Sequence, residues 1–165
     1  MNVVLCGMMG CGKTAVAAAY TQLFGVKSVD TDAIIVQRHG EINAIFAKYG
    51  EEYFRDIETA VCKEVSSTLN GGVIALGGGC VLRSQNVQAL KETGKIIYLR
   101  TKAETIIQRL KGDSTRPLLQ GGLEERVNSI LSKRASIYEG AADIIIDTDG
   151  LTPEEIAKSI REKVL

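Results

Sequence analysis

The residues best suited to chemistry stand near the start of the chain, in "VVLCGMMGCGKTAVA" from Val3 to Ala17. Gly7, Gly10, Gly12, Lys13 and Thr14 spell G-x-x-x-x-G-K-T, with a short apolar run before them and an alanine-rich helical pattern after. That is a phosphate-binding loop in its required setting of strand, loop and helix. Its glycines let successive backbone N–H groups turn inward, and the following helix adds the positive end of its dipole. Lys13 supplies a point charge for β- and γ-phosphates, and the Thr14 hydroxyl can sit on Mg²⁺. A nucleotide's phosphates are expected here, and the receiving group must be recognised by residues further along.

Several candidates follow. "VDTD" places Asp30 and Asp32 just after a predicted second strand, where both can face the loop. One could help hold Mg²⁺ through water while the other orients or deprotonates a hydroxyl; either could instead cap the next helix. "EYFRDIE" sets Arg55 and Glu58 at i, i+3. This is either an exposed ion pair, or Glu58 holding Arg55 in shape to grip a carboxylate. "ALGGGCV" puts Gly77, Gly78 and Gly79 directly after a third predicted strand, which suggests close backbone approach to a ligand. "TRPLL" contains Arg116, and "KRASIY" contains Arg134 with Tyr138 one helical turn later. Each of these arginines, taken singly, also fits a surface position.

The elements that must position these residues alternate. Strands are predicted at Asn2–Cys6, Lys27–Val29, Val73–Leu76, Lys95–Leu99 and Asp143–Ile146, all short and rich in Val, Ile or Leu. Helical patterns separate them at Lys13–Leu23, Ala33–Arg38 with Ile42–Leu69, Ser84–Glu92, Ala103–Leu110, Glu124–Tyr138 and Pro153–Val164. Such alternation implies an α/β fold, a parallel sheet with helices on both faces and ligands beyond the carboxyl ends of its strands. Two stretches break the rhythm. Residues 33–69 hold far more helix than one crossover needs and read as an acceptor-binding subdomain. Residues 111–122, "KGDSTRPLLQGG", are polar and bracketed by glycines, and read as a mobile lid. With no linker or internal repeat, residues 1–165 are expected to form one domain.

The totals exclude other classes. At 165 residues and 45% hydrophobic, the chain can bury a sizeable core. Twenty basic residues balance twenty acidic ones, and aromatics are few, so no nucleic-acid partner is expected. Cys6, Cys11, Cys62 and Cys80 form no C-x-x-C pair and lie near no histidine, which argues against zinc and suits a reducing cytoplasm. His39, the single histidine, falls in "QRHGE", a helix end. There is no G-x-S-x-G for hydrolase chemistry. No apolar run approaches the roughly 20 residues of a membrane span, and no signal or transit peptide is expected ahead of a first strand that is needed from residue 3.

Taken in order and at these spacings, GMMGCGKT, DTD, FRDIE, GGG, RPLL and R-x-x-x-Y resemble the shikimate kinase family over about Val3 to Pro153. The resemblance implies a three-layer, nucleoside-monophosphate-kinase-like P-loop fold with five parallel strands in order 2-3-1-4-5. It also implies ATP-dependent phosphorylation of the 3-hydroxyl of shikimate, with Mg²⁺, in aromatic amino acid biosynthesis. By position it assigns Gly10, Cys11, Gly12, Lys13, Thr14 and Ala15 to the phosphates, Thr14 to Mg²⁺, and Asp30 to the metal side. Asp32, Arg55, Arg134 and the run Gly77–Gly79 would take shikimate, with Asp32 as base and Lys13 and Arg116 acting on the transferred phosphoryl. Arg109 and Pro153 fall where the family sandwiches adenine, although "DTDGLTP" lacks the arginine that some members carry there. A monomer is expected. The rivals are another small-molecule kinase of this fold, such as a gluconate or nucleoside monophosphate kinase, and a non-catalytic nucleotide-binding module. A GTPase-like switch fits poorly, since no N-K-x-D motif exists and the D-x-x-G at Asp147–Gly150 comes too late.

Overall fold

A computed structural model describes residues 1–111 and 122–165. The expected lid therefore lies, apart from its two end residues, outside the described residues, and Arg116 with it. Five strands, β1 (Asn2–Cys6), β2 (Ser28–Asp30), β3 (Val73–Ala75), β4 (Gly94–Arg100) and β5 (Ile144–Asp147), form one parallel sheet in the order β2-β3-β1-β4-β5. The helices are α1 (Lys13–Phe24), α2 (Thr31–His39), α3 (Ile42–Tyr49), α4 (Glu51–Thr68), α5 (Ser84–Thr93), α6 (Ala103–Lys111), α7 (Leu123–Ala141) and α8 (Pro153–Val164).

The unbroken apolar strands follow from burial on both faces. In β1 every residue is buried, and alternate side chains enter different cores. Val3 and Leu5 pack with Val16 and Tyr20 of α1 and Ile156 and Ile160 of α8. Val4 and Cys6 pack on the other side with Ile35, Phe54, Val61, Leu90, Ile106 and Tyr138, drawn from α2, α4, α5, α6 and α7. Each fully buried aliphatic side chain contributes roughly 1.5–3 kcal/mol of transfer free energy. The two cores together fix the carboxyl ends of β1, β2 and β3 side by side.

Three element boundaries differ from the sequence reading in ways that matter for the site. Strand β2 runs to Asp30 rather than stopping at Val29, and α2 starts at Thr31 rather than Ala33. The cause is local: the Asp30 carboxylate accepts the Ala33 N–H at 3.1 Å and caps α2. Asp32 is consequently not a loop residue but lies in the first turn of that helix. The long predicted helix over 42–69 is divided at Gly50, giving α3 and α4. At the far end of the fold, α8 opens on a capping box between Thr152 and Glu155 with Pro153 in its first turn, as its sequence implies. His39 closes α2 and is exposed, and all four cysteines are free and buried.

Candidate active site

The loop after β1 is shaped by Gly7, Gly10 and Gly12, which adopt φ values of 146°, 83° and 101°, a region open chiefly to glycine. Gly12 caps α1 without a side-chain bond, and no acidic residue stands in the first turn. The leading N–H groups of α1 and its positive dipole end are thus kept for an anion. Carbonyls of the loop are held by side-chain donors. Lys13 Nζ donates to the Gly7 and Met8 oxygens at 2.5 and 3.1 Å, Arg109 to Gly10 at 2.9 Å, and the buried Thr101 hydroxyl to Cys11 at 3.4 Å. Lys13 is therefore a structural tie of the loop as well as a charge, not simply a surface-facing side chain.

Above this loop lies a cleft of about 680 Å³. Its lining includes Gly10 to Ala15, Arg109, Leu151, Pro153 and Ile156, together with Asp30, Asp32 and Gly78. Arg109 and Pro153, 44 positions apart in sequence, thus line the same cleft. Thr14 and Asp30, whose side chains carry oxygen, both line the cleft. Among the described residues there is no cluster of three or more His, Cys, Asp or Glu able to hold a metal alone.

The glycine run gathers the rest. A methyl group on Gly77 would sit 2.5 Å from Asp32 Oδ1 and 3.0 Å from Glu58 Oε2. One on Gly79 would sit 2.5 Å from both terminal nitrogens of Arg55, and one on Gly78 would touch Arg134 and the phosphate loop at Met9. Asp32, Arg55, Glu58 and Arg134, spread over three helices, meet on three residues that have no side chains. The close approach to Gly77–Gly79 seen here is that of protein side chains, where the sequence suggested a ligand.

Arg55 and Glu58 are bonded at 2.8 Å, with side chains only 10% and 1% exposed, so the exposed-pair alternative does not hold. Glu51 adds a second, weaker partner to Arg55 at 3.5 Å. Burial pushes the Glu58 carboxyl above its ordinary range, and the nearby Asp32 adds to the rise. The charge and hydrogen bond of Arg55, with Arg134 behind, pull the other way. Two further residues went unassigned in the sequence. Thr31 accepts the Gly77 N–H at 3.0 Å, and Tyr138 donates to the Gly78 carbonyl at 2.6 Å. The pattern R-x-x-x-Y marked Tyr138, but nothing in the sequence marked Thr31 beyond its place between two aspartates.

A phosphate loop at the carboxyl end of the central strand of a 2-3-1-4-5 parallel sheet, close to an acid and two arginines, defines a P-loop kinase acting on a small molecule. Residues 9–165 match the family model described as shikimate kinase, and the chain belongs to the shikimate kinase family. It is 47% identical to the shikimate kinase of Thermodesulfovibrio yellowstonii over 161 residues, covering 96% of this chain and 92% of that one. It is 41% identical to that of Moorella thermoacetica over 162 residues, covering 98% and 92%. Among solved structures it is similar to the Acinetobacter baumannii shikimate kinase in complex with shikimate, with a TM-score of 0.91 at 35% identity over 99% of this chain and 92% of that one. The Aquifex aeolicus enzyme matches with a TM-score of 0.80 at 29% identity, covering 99% and 95%.

Proposed function

We infer the division of labour by which this shikimate kinase moves the γ-phosphoryl group of ATP onto the 3-hydroxyl of shikimate, giving shikimate 3-phosphate and ADP. The backbone of Gly10–Ala15 and Lys13 hold the β- and γ-phosphates, and the adenine lies between Arg109 and Pro153. Thr14 and Asp30 are hard oxygen donors beside the phosphates, which suits Mg²⁺ held jointly by protein and nucleotide. The ion neutralises phosphate charge when bound. Arg55, braced by Glu58, and Arg134 grip the carboxylate of shikimate across the glycine run. Asp32 accepts the hydrogen bond of the 3-hydroxyl and aims it at the γ-phosphorus. As the new O–P bond forms and the bond to the β-phosphate oxygen breaks, the hydroxyl proton passes to Asp32 and ADP leaves. Arg116 is assigned to the transferred phosphoryl on the family resemblance alone, and residues 111–122 to closure on their polar, glycine-bracketed sequence.

One observation carries this reading: Asp32 and Gly78 line the same cleft as Gly10–Ala15, with both arginines on the same glycine run. We propose that the enzyme works as a monomer. Among the described residues no helix is long and apolar enough to cross a membrane. The buried free cysteines suit a reducing compartment, supporting work in the cytoplasm. The test is ADP release by purified protein with Mg²⁺-ATP and a panel of hydroxyl acceptors including gluconate and nucleoside monophosphates. Shikimate is expected to stand far above the others; release no faster than with water alone refutes the reading.

A further inference from the structure

The run Gly77–Gly79 carries no side chains to anchor it, yet Asp32, Arg55 and Arg134 are all arranged against it. Local turns hold two of its carbonyls, with Cys80 N–H donating to Gly77 and Leu82 N–H to Gly79, both at 3.1 Å, which leaves the Gly77 N–H and the Gly78 carbonyl to partners elsewhere in the fold. Two buried hydroxyls from separate helices bond it. Thr31, fully buried at the start of α2, accepts the Gly77 N–H at 3.0 Å. Tyr138, fully buried near the end of α7, donates to the Gly78 carbonyl at 2.6 Å. Each hydroxyl is coupled to one residue of the acceptor site. Thr31 directly precedes Asp32, whose carboxylate lies against Gly77. Tyr138 stands one turn after Arg134 on α7, and both reach Gly78: Tyr138 by its bond to the carbonyl, Arg134 by lying against its α-carbon. Gly78 also faces the phosphate loop, at 3.7 Å from Met9 N and 3.8 Å from the Gly7 oxygen when carrying a methyl group.

We propose that Thr31 and Tyr138 are positioning residues that register the glycine run, and with it Asp32 and Arg134, against the phosphate loop. Resting on the assignment of this site to shikimate, the proposal makes acceptor binding and aim, rather than nucleotide binding, the property these hydroxyls govern. The bonds concern buried backbone groups, whose loss leaves a polar atom without a partner in a dry setting.

Tyr138→Phe keeps the ring and its packing against Tyr98, whose centroid is 5.1 Å away. Thr31→Val keeps the shape of threonine, and Thr31→Ser keeps only the hydroxyl. The KM values for shikimate and ATP, kcat and thermal midpoint are measured for all three beside the wild type. Tyr138→Phe and Thr31→Val are expected to raise the KM for shikimate about tenfold, the size of one lost buried hydrogen bond. The KM for ATP should stay within about twofold of wild type, and Thr31→Ser should restore most of the loss. Parallel rises in both KM values with a falling midpoint, an unchanged KM for shikimate, or failure of serine to rescue would overturn positioning while leaving the kinase assignment intact. A wild-type protein that does not phosphorylate shikimate would overturn that assignment and this proposal with it.

Discussion

Replacing Asp32 by asparagine separates catalysis from architecture. Asparagine keeps the shape but lacks the charge and basicity of the carboxylate. The helix cap, which could have been either aspartate, is Asp30 through its bond to Ala33, so α2 keeps its cap in the variant. Oδ1 of Asp32 lies close against Gly77, a fit that an amide oxygen can repeat. Losing the negative charge also relieves Glu58, whose carboxyl Asp32 helps to push up, so the fold should not suffer. A general base contributes about 10²–10⁴-fold. Phosphoryl transfer through a loose transition state draws mainly on its aim, which favours the lower end. A hundredfold loss of kcat corresponds to about 2.7 kcal/mol of barrier. The assay is ADP release at saturating shikimate and ATP, with ATP affinity measured separately. The kcat should fall about a hundredfold or more with ATP affinity little changed, because Lys13, Thr14 and the loop backbone remain. Near-normal kcat would refute the catalytic role of Asp32.

Lys13→Ala removes both the charge we assign to the phosphates and the bonds to the Gly7 and Met8 carbonyls; transfer should fall by at least about a hundredfold, and circular dichroism should show the chain still folded. Gly79→Ala would place a methyl group 2.5 Å from the Arg55 guanidinium, itself pinned by Glu58 at 2.8 Å, so the arginine must shift. The KM for shikimate should rise by at least about tenfold with that for ATP unchanged, and equal effects on both would count against Arg55 as a carboxylate ligand. Glu58 gives a pH dependence: its folded-state pKa lies above the ordinary value of 4.5, so the folded chain holds the proton more tightly than the unfolded one. Its contribution to stability is full below 4.5 and is lost as pH rises through the raised value. The thermal midpoint of wild type relative to Glu58→Gln should therefore decline on going from acid to neutral pH; a difference that grows with pH would contradict the burial argument.

What was legible in the sequence was whatever local pattern controls. Alternating apolar strands and amphipathic helices gave the layers, and the glycine and lysine spacing gave the loop, because both depend on neighbours within a few residues. The resemblance supplied the strand order that periodicity alone leaves open. Less visible was anything decided by burial at long range. The spacing of Arg55 and Glu58 is that of an ordinary surface pair, and only the packing of α4 against the glycine run turns it inward. The competition between Asp30 and Asp32 for the helix cap turned on a single register step at the end of β2. Thr31 was hidden because a threonine hydroxyl is informative only when its partner, Gly77, is known, and that partner is 46 residues away.

The central claim is that this cleft joins the γ-phosphoryl group of ATP to one particular hydroxyl of shikimate. Incubating the protein with Mg²⁺-ATP and shikimate and reading the product by phosphorus and proton NMR tests it most directly. A single phosphate ester on the 3-hydroxyl should form, one for one with ADP, and be abolished in Lys13→Ala. Inorganic phosphate in place of an ester, or an ester on another ring hydroxyl, would contradict it.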